Sequence, residues 1–305
     1  MQLALAREKG KPLSPRLQPY LDAYSAEHLP ARNYTSGTRA MHAAEVRLFL
    51  LFAEDLGLER LTQVQRRHVE AYLARLDGQG YADTTRRRKL SAIKSFTAWL
   101  VQNRIITTDP AADIIPPRLQ WKRPRVLTEE EYRRLLAVID KPRDLAFMQL
   151  LLQTGIRLAE AHELNLNQVT LPNPIDEQSV GTIYILGRPK ESQIVYNNTS
   201  ECQAQITWLR ERPQVSTNAV FVSRNSERLS RRQMQRLMGK YVEEACLSPA
   251  TVKALRYSFA GHHLIHGTPL KQVRECLGIR LPRSTEAYVT VAESLKAHYM
   301  QAHGL

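Results

Sequence analysis

Between Asp109 and Arg125 the chain carries four prolines (Pro110, Pro116, Pro117, Pro124) among the cations Arg118, Lys122, Arg123 and Arg125, and the hydrophobic pattern on its two sides differs in kind. Proline fixes φ and removes a backbone donor, so neither helix nor strand runs through such a stretch. The chain therefore reads as two bodies joined by a linker. Its 305 residues suffice for two domains that each bury a core. The boundaries expected are a tail over 1–16, a first domain over 17–115, a linker over 116–126 and a second domain over 127–305.

Before the linker the periodicity is helical throughout. Arg39 to Leu56 places Ala43, Val46, Phe49, Leu50 and Ala53 on one face, with Thr35, Ser36 and Thr38 available as caps. Gln65 to Leu76 forms a second helix that Gly78-Gln79-Gly80 closes. A third runs from Arg86 to about Asn103, capped by Thr84 or Thr85, with Leu90, Ile93, Phe96 and Leu100 as its apolar face. Its other sides hold Arg86, Arg87, Arg88, Lys89 and Lys94. Cations at a helix start oppose the positive end of the dipole. Either they form a solvated basic surface or a phosphate backbone lies across that end, and the second reading removes the conflict.

Beyond the linker the elements are mixed. Thr128-Glu129-Glu130-Glu131 opens a helix as a capping box. Phe147 to Gln153 and Leu158 to Leu164 are helical. Thr182 to Leu186 and Gln193 to Tyr196 read as strands around the turn Gly187-Arg188-Pro189-Lys190-Glu191, hence a β-hairpin, and helical patterning returns near Ser230. The fold class expected is an all-α N-terminal domain followed by a mainly α domain with a small antiparallel sheet.

The formal net charge of +13 points to a polyanionic partner, most often nucleic acid, or else to a basic protein without one. No apolar run approaches the roughly 20 residues of a membrane helix. The start M-Q-L-A-L-A-R-E-K-G-K has no signal-like core. Three widely spaced cysteines, Cys202, Cys246 and Cys276, form no zinc pattern and suit a reducing compartment, so a cytoplasmic, nucleoid-associated location is expected. There is no Walker loop, H-E-x-x-H or obvious metal-binding carboxylate pair, and neither cofactor nor metal is expected.

Three segments could carry chemistry. In Thr154-Gly155-Ile156-Arg157-Leu158-Ala159-Glu160, Arg157 and Glu160 share a helix face. They form either a surface ion pair or a guanidinium oriented toward a phosphate, whose oxygens match arginine's fork. In Lys253-Ala254-Leu255-Arg256-Tyr257 the polar side of an amphipathic helix gathers Lys253, Arg256 and Tyr257. Leu277-Gly278 precedes Ser284-Thr285-Glu286-Ala287-Tyr288, where Ser284 or Thr285 caps a short helix bearing Tyr288. Were that helix to continue, Tyr288, Val291, Ala292, Leu295 and Tyr299 would form one packing stripe.

Taken in order, these segments resemble the tyrosine recombinase (phage integrase) family, most closely its Xer-type members, over nearly the whole chain. T-G-I-R-L-A-E resembles the first arginine box, which implies Arg157 as a catalytic arginine supported by Glu160. G-R-P-K-E-S resembles the hairpin turn with the catalytic lysine, here Lys190. K-A-L-R-Y-S-F-A resembles the second box, usually H-x-L-R-H-x-x-A, and implies Arg256 as the second arginine. Leu277 to Tyr288 resembles the third box and makes Tyr288 the nucleophile. The helices from T-S-G-T-R to A-I-K-S-F-T-A-W-L are similar to the core-binding domain. Lys253 replaces a histidine and is still able to donate to a phosphate oxygen. Ile279 stands where His or Trp is usual and cannot donate. Tyr257 replaces the second box's other histidine.

The resemblance implies a metal-free and ATP-free reaction on double-stranded DNA. The Tyr288 hydroxyl attacks a phosphodiester, two arginines hold the phosphate, Lys190 protonates the leaving oxygen, and a 3′-phosphotyrosyl link conserves the bond energy. It also implies a homotetramer on DNA, monomers or weak oligomers off it, and a C-terminal segment over 293–305 that docks on a neighbouring protomer. A partner recombinase or accessory protein is a further expectation. DNA contacts are expected from Arg86, Arg87, Arg88, Lys89, Lys94, Arg118, Lys122 and Arg123. The competing readings are a catalytically weakened DNA-binding protein on the same scaffold and a type IB topoisomerase.

Overall fold

The computed structural model describes residues 11–120, 123–172, 180–186, 192–197, 199–279 and 286–302. The chain divides into two units, Met1–Trp121 and Lys122–Leu305, and the division falls inside the proline- and cation-rich stretch. Lys122 and Lys190 lie outside the described residues, as do the expected caps Ser284 and Thr285.

The described part of the first unit is helical. It contains α1 (Gln18–Ala23), a π-helical turn at Tyr24–His28, α2 (Leu29–Ala31), α3 (Ser36–Asp55), α4 (Arg66–Gly78) and α5 (Asp83–Gln102). Thr35 caps α3 by accepting from the Thr38 amide. The faces of α3 and α5 close on each other. Phe96, Trp99 and Leu100 meet Val46, Leu50 and Leu51 on one side, while Leu90 and Ile93 meet Phe49, Phe52, Val69 and Tyr72 on the other. The expected tail is packed from Leu13 onward: Leu13 and Leu17 are buried, and the Ser14 amide donates to Glu54. At the far end Ala111 and Ile114 are buried in the same unit, whereas Ile115 is 84% exposed.

The basic start of α5 differs from the expectation. The helix begins at Asp83, not Arg86, so a carboxylate occupies its first turn and meets the positive dipole end. Arg86 pairs with Asp83 and with Asp77, the latter at 2.9 Å. Lys89 is buried at 3% exposure and pairs with Glu45, itself buried, while Arg88 reaches the other oxygen of Glu45 at 2.7 Å. Lys89 therefore leaves the set of candidate DNA contacts. Its spacing shows why: four and seven residues before Ile93 and Phe96, it lies on the packed face. Arg87 and Arg88 are exposed, as are Arg118 and Arg123, and Lys94 donates to the Ala112 carbonyl at 2.9 Å.

The second unit contains α6 (Glu129–Ala137), α7 (Pro142–Thr154), α8 (Leu158–Glu163), the strands β1 (Val169–Thr170), β2 (Gly181–Leu186) and β3 (Ser192–Asn197), then α9 (Thr199–Glu211), α10 (Arg231–Glu244), α11 (Val252–Ile265), α12 (Leu270–Cys276) and α13 (Glu286–Ala302). The sheet is antiparallel in the order β1-β2-β3, with Val169 opposite Ile183 and Thr182 opposite Tyr196. Thr128 and Glu131 form the capping box that opens α6. The apolar helix α7 is the hub of this core, and its Phe147, Leu150 and Leu151 cluster with Ile183, Ile185, Trp208, Phe221, Met234, Tyr241 and Leu255. Buried Asp144 is held by Arg143 at 2.7 Å and by the Tyr241 hydroxyl at 2.8 Å. Among the described residues no helix is long and apolar enough to cross a membrane.

The helix bearing Tyr288 is not short. It runs as one piece to Ala302, and its stripe is buried on its own subunit: Val291 and Leu295 pack with Val126. A Cβ at Gly261 on α11 would lie 2.7 Å from Leu295 and 2.8 Å from Val291, so glycine is what lets α13 approach. In this structure the described part of the segment over 293–305 is thus seated on its own chain, not held out for a neighbour.

Two stability measurements check this account. Lys89→Ala leaves Glu45 buried with one partner fewer and is expected to cost about 3–5 kcal/mol, whereas Arg87→Ala stays within about 0.5 kcal/mol by denaturant unfolding. Glu201 on α9 is fully buried, and desolvation pushes its carboxyl from the ordinary 4.5 up to about 8. The folded state therefore holds the proton longer than the unfolded state. Its contribution to stability falls as pH rises from 4.5 to about 8. Glu201→Gln is expected to flatten that slope in unfolding curves taken across this range.

Candidate active site

The site forms where α7 ends, α11 passes and the Leu277-Gly278 turn closes α12. Gly155 ends α7 in the left-handed region (φ 62°). A Cβ there would stand 2.6 Å from Phe259 and 2.7 Å from Leu277, so the position demands glycine for conformation and for space. The reversal leaves Arg157 at the N-terminus of α8. Glu160, three residues on, accepts from both the backbone amide and the guanidinium of Arg157, each at 2.6 Å. One carboxylate thus fixes the residue at two points. The arginine's other terminal nitrogen reaches the Gly278 carbonyl at 3.4 Å and its side chain is 48% exposed.

Arg256 comes from the middle of α11 and is buried at 8% exposure. It donates to the Gly155 carbonyl and the Leu277 carbonyl, both at 2.7 Å, and through Nε to the Tyr288 hydroxyl at 3.2 Å. The two arginines are therefore held by consecutive carbonyls of one turn, Leu277 and Gly278. Among the described residues no carboxylate pairs with Arg256. A buried guanidinium with only neutral acceptors is poorly compensated, and three of its five N–H groups are used. The pocket is thus chemically suited to an anion.

Tyr288 is 8% exposed. Its ring packs with Phe259, Ala260, Val273 and Leu277, and partly buried Ile279 joins the same cluster. Its hydroxyl nevertheless points at Arg256 and not into that cluster. Lys253 is exposed, with Nζ 5.2 Å from the Tyr257 ring centroid, and the Tyr257 ring lies 5.2 Å from that of Tyr288. Lys253, Tyr257 and Arg256 on α11 thus meet Tyr288 on α13 in one continuous series of contacts. The structure brings together Arg157, Glu160, Lys253, Arg256, Ile279 and Tyr288. Sequence reasoning missed the acceptors at Gly155, Leu277 and Gly278, which are main-chain atoms. The Thr-Gly and Leu-Gly pairs marked their places, but not their role.

Two family models match the chain: the phage integrase family over residues 125–294 and the phage integrase N-terminal SAM-like domain over residues 21–104. The chain belongs to the phage integrase family, the tyrosine recombinases. Its Xer-type character is seen in its relatives. It is 31% identical over 304 residues to the tyrosine recombinase XerC of Neisseria gonorrhoeae, covering 93% of this chain and 95% of that protein. It is 30% identical over 299 residues to XerD of Shewanella oneidensis, covering 93% and 96%. In fold it is similar to the XerH site-specific recombinase bound to a palindromic difH substrate in a post-cleavage complex (TM-score 0.71, 18% identity, 97% of this chain and 85% of that one). It is also similar to a lambda integrase dimer bound to a COC′ core site (TM-score 0.69, 17% identity, 94% and 80%).

Gly155→Ala tests the packing of the site. Added strain and overpacking are expected to cost roughly 2–4 kcal/mol in denaturant unfolding and to detach Arg256 from its carbonyl.

Proposed function

We propose that this chain is a site-specific recombinase that cuts and rejoins duplex DNA through a 3′-phosphotyrosyl intermediate on Tyr288. The observation that carries the reading is the 3.2 Å bond from Arg256 to the Tyr288 hydroxyl inside a buried cationic pocket with no carboxylate to neutralise it among the described residues. A scissile phosphate supplies the missing charge. Arg256 and Arg157, anchored on adjacent carbonyls, bind its nonbridging oxygens and stabilise the charge that builds in the pentacoordinate state. The Tyr288 hydroxyl gives its proton to solvent as its oxygen bonds to phosphorus, the bond from phosphorus to the 5′ oxygen breaks, and that oxygen leaves with a proton from Lys190. Lys253 adds a donor at the rim. A 5′ hydroxyl from a second duplex then reverses the attack, so that the strands are exchanged without ATP or metal.

Exposed Arg87, Arg88, Arg118 and Arg123, with Arg86, Lys94 and Lys122, contact the phosphate backbone in this reading, and four protomers assemble on two duplexes. The XerH and lambda integrase complexes named above, and a lambda integrase tetramer bound to a Holliday junction, support that arrangement by similarity of fold.

The test is a suicide substrate nicked beside the scissile phosphate. Wild-type protein is expected to yield a covalent protein–DNA adduct on denaturing gels. Tyr288→Phe gives none, and Arg256→Ala gives it at least about 10²-fold more slowly. Binding without any wild-type adduct would instead identify a DNA-binding protein on a recombinase scaffold, the reading that Ile279 and Lys253 favour.

A further inference from the structure

Away from the arginines, the start of α6 and the end of α11 border a solvent-open pocket of about 270 Å³ lined by Glu129, Tyr132, Gln153, Phe259, His262 and His266, among others. His262 and His266 are four residues apart and face the same way. His262 Nε2 lies 2.8 Å from the Leu127 carbonyl. A carbonyl only accepts, so Nε2 carries the proton and, in the neutral ring, the lone pair is on Nδ1. That Nδ1 is buried and has no hydrogen-bond partner among the described residues. An unsatisfied buried acceptor is costly, and a ring nitrogen fixed through a backbone carbonyl on its far side is the arrangement found behind metal-bound histidines.

The other two donors are in place. His266 Nε2 stands 3.4 Å from Glu129 Oε1, and one ligand atom from each of Glu129, His262 and His266 falls within 4.8 Å of the others. Ligands about 2.0–2.1 Å from a tetrahedral zinc ion are about 3.3 Å from one another, a spacing that side-chain rotation reaches. An ion pair between His266 and Glu129 alone would leave Nδ1 of His262 unused.

We propose that Glu129, His262 and His266 bind one divalent cation of the zinc class, with water in the remaining position. Two nitrogens and a carboxylate suit zinc better than the all-oxygen sites of magnesium or calcium. The ion joins the first residue of α6 to the last turn of α11. It also lies beside the seat of α13, because the Glu129 amide donates to the Tyr299 hydroxyl at 3.2 Å. Its role is to brace that seat, and it takes no part in strand cleavage.

The experiment is a titration of chelator-treated full-length protein with Zn²⁺ by calorimetry and with Co²⁺ by visible absorption, alongside thermal unfolding. One ion per chain is expected, with a cobalt spectrum free of thiolate charge transfer and a melting temperature raised by zinc. His266→Ala and Glu129→Gln are expected to bind at least about ten-fold more weakly and to lose the zinc-dependent rise. His266 is exposed, so its variant should melt with the metal-free wild type. Absence of stoichiometric binding, wild-type affinity in either variant, or a thiolate signature would overturn the proposal.

Discussion

The buried guanidinium of Arg256 is the constraint around which the catalytic unit is arranged. It ties three remote pieces of chain to one point: the end of α7 through Gly155, the turn after α12 through Leu277, and α13 through Tyr288. Each bond to a neutral acceptor is modest by itself. Together they hold a charge at 8% exposure without a carboxylate among the described residues. A carboxylate partner would be cheaper for the fold, but it would repel the phosphate that the pocket is suited to receive. The second arginine follows the opposite rule. Arg157 is half exposed and able to share its guanidinium with Glu160, since solvent screens the pair.

The helical unit shows how misleading a run of cations is when read by charge alone. Glu45 takes Lys89 and Arg88, Asp77 and Asp83 take Arg86, and Arg87 projects outward. The same four letters thus serve one interior ion pair, two anchored surface groups and one exposed cation. Only helix phase separates these roles.

Much of the architecture was legible because it is local. Thr35, Thr128 and Ser230 open helices as their side chains allow, and alternation revealed the strand pair around Ile183 and Val195. The boxes around Arg157, Arg256 and Tyr288 were visible for the same reason, each being a few residues at fixed spacing. What sequence could not show is tertiary. The acidic partners of the α5 cations lie up to 44 residues away. The packing of Leu13 depends on a face of α3 that exists only once the unit is assembled. The continuation of α13 depends on Gly261, a residue on another helix whose significance is the side chain it lacks. His262 and His266 went unnoticed because Glu129 is over a hundred positions upstream.

The unbroken run from Glu286 to Ala302 makes Tyr288 and Leu295 points on a single rod, about 10 Å apart along its axis. A rod of that kind transmits tilt. Levering Leu295 out of the notch at Gly261 must also swing the phenol relative to Arg256, and whatever grips the far end acquires a handle on the nucleophile itself.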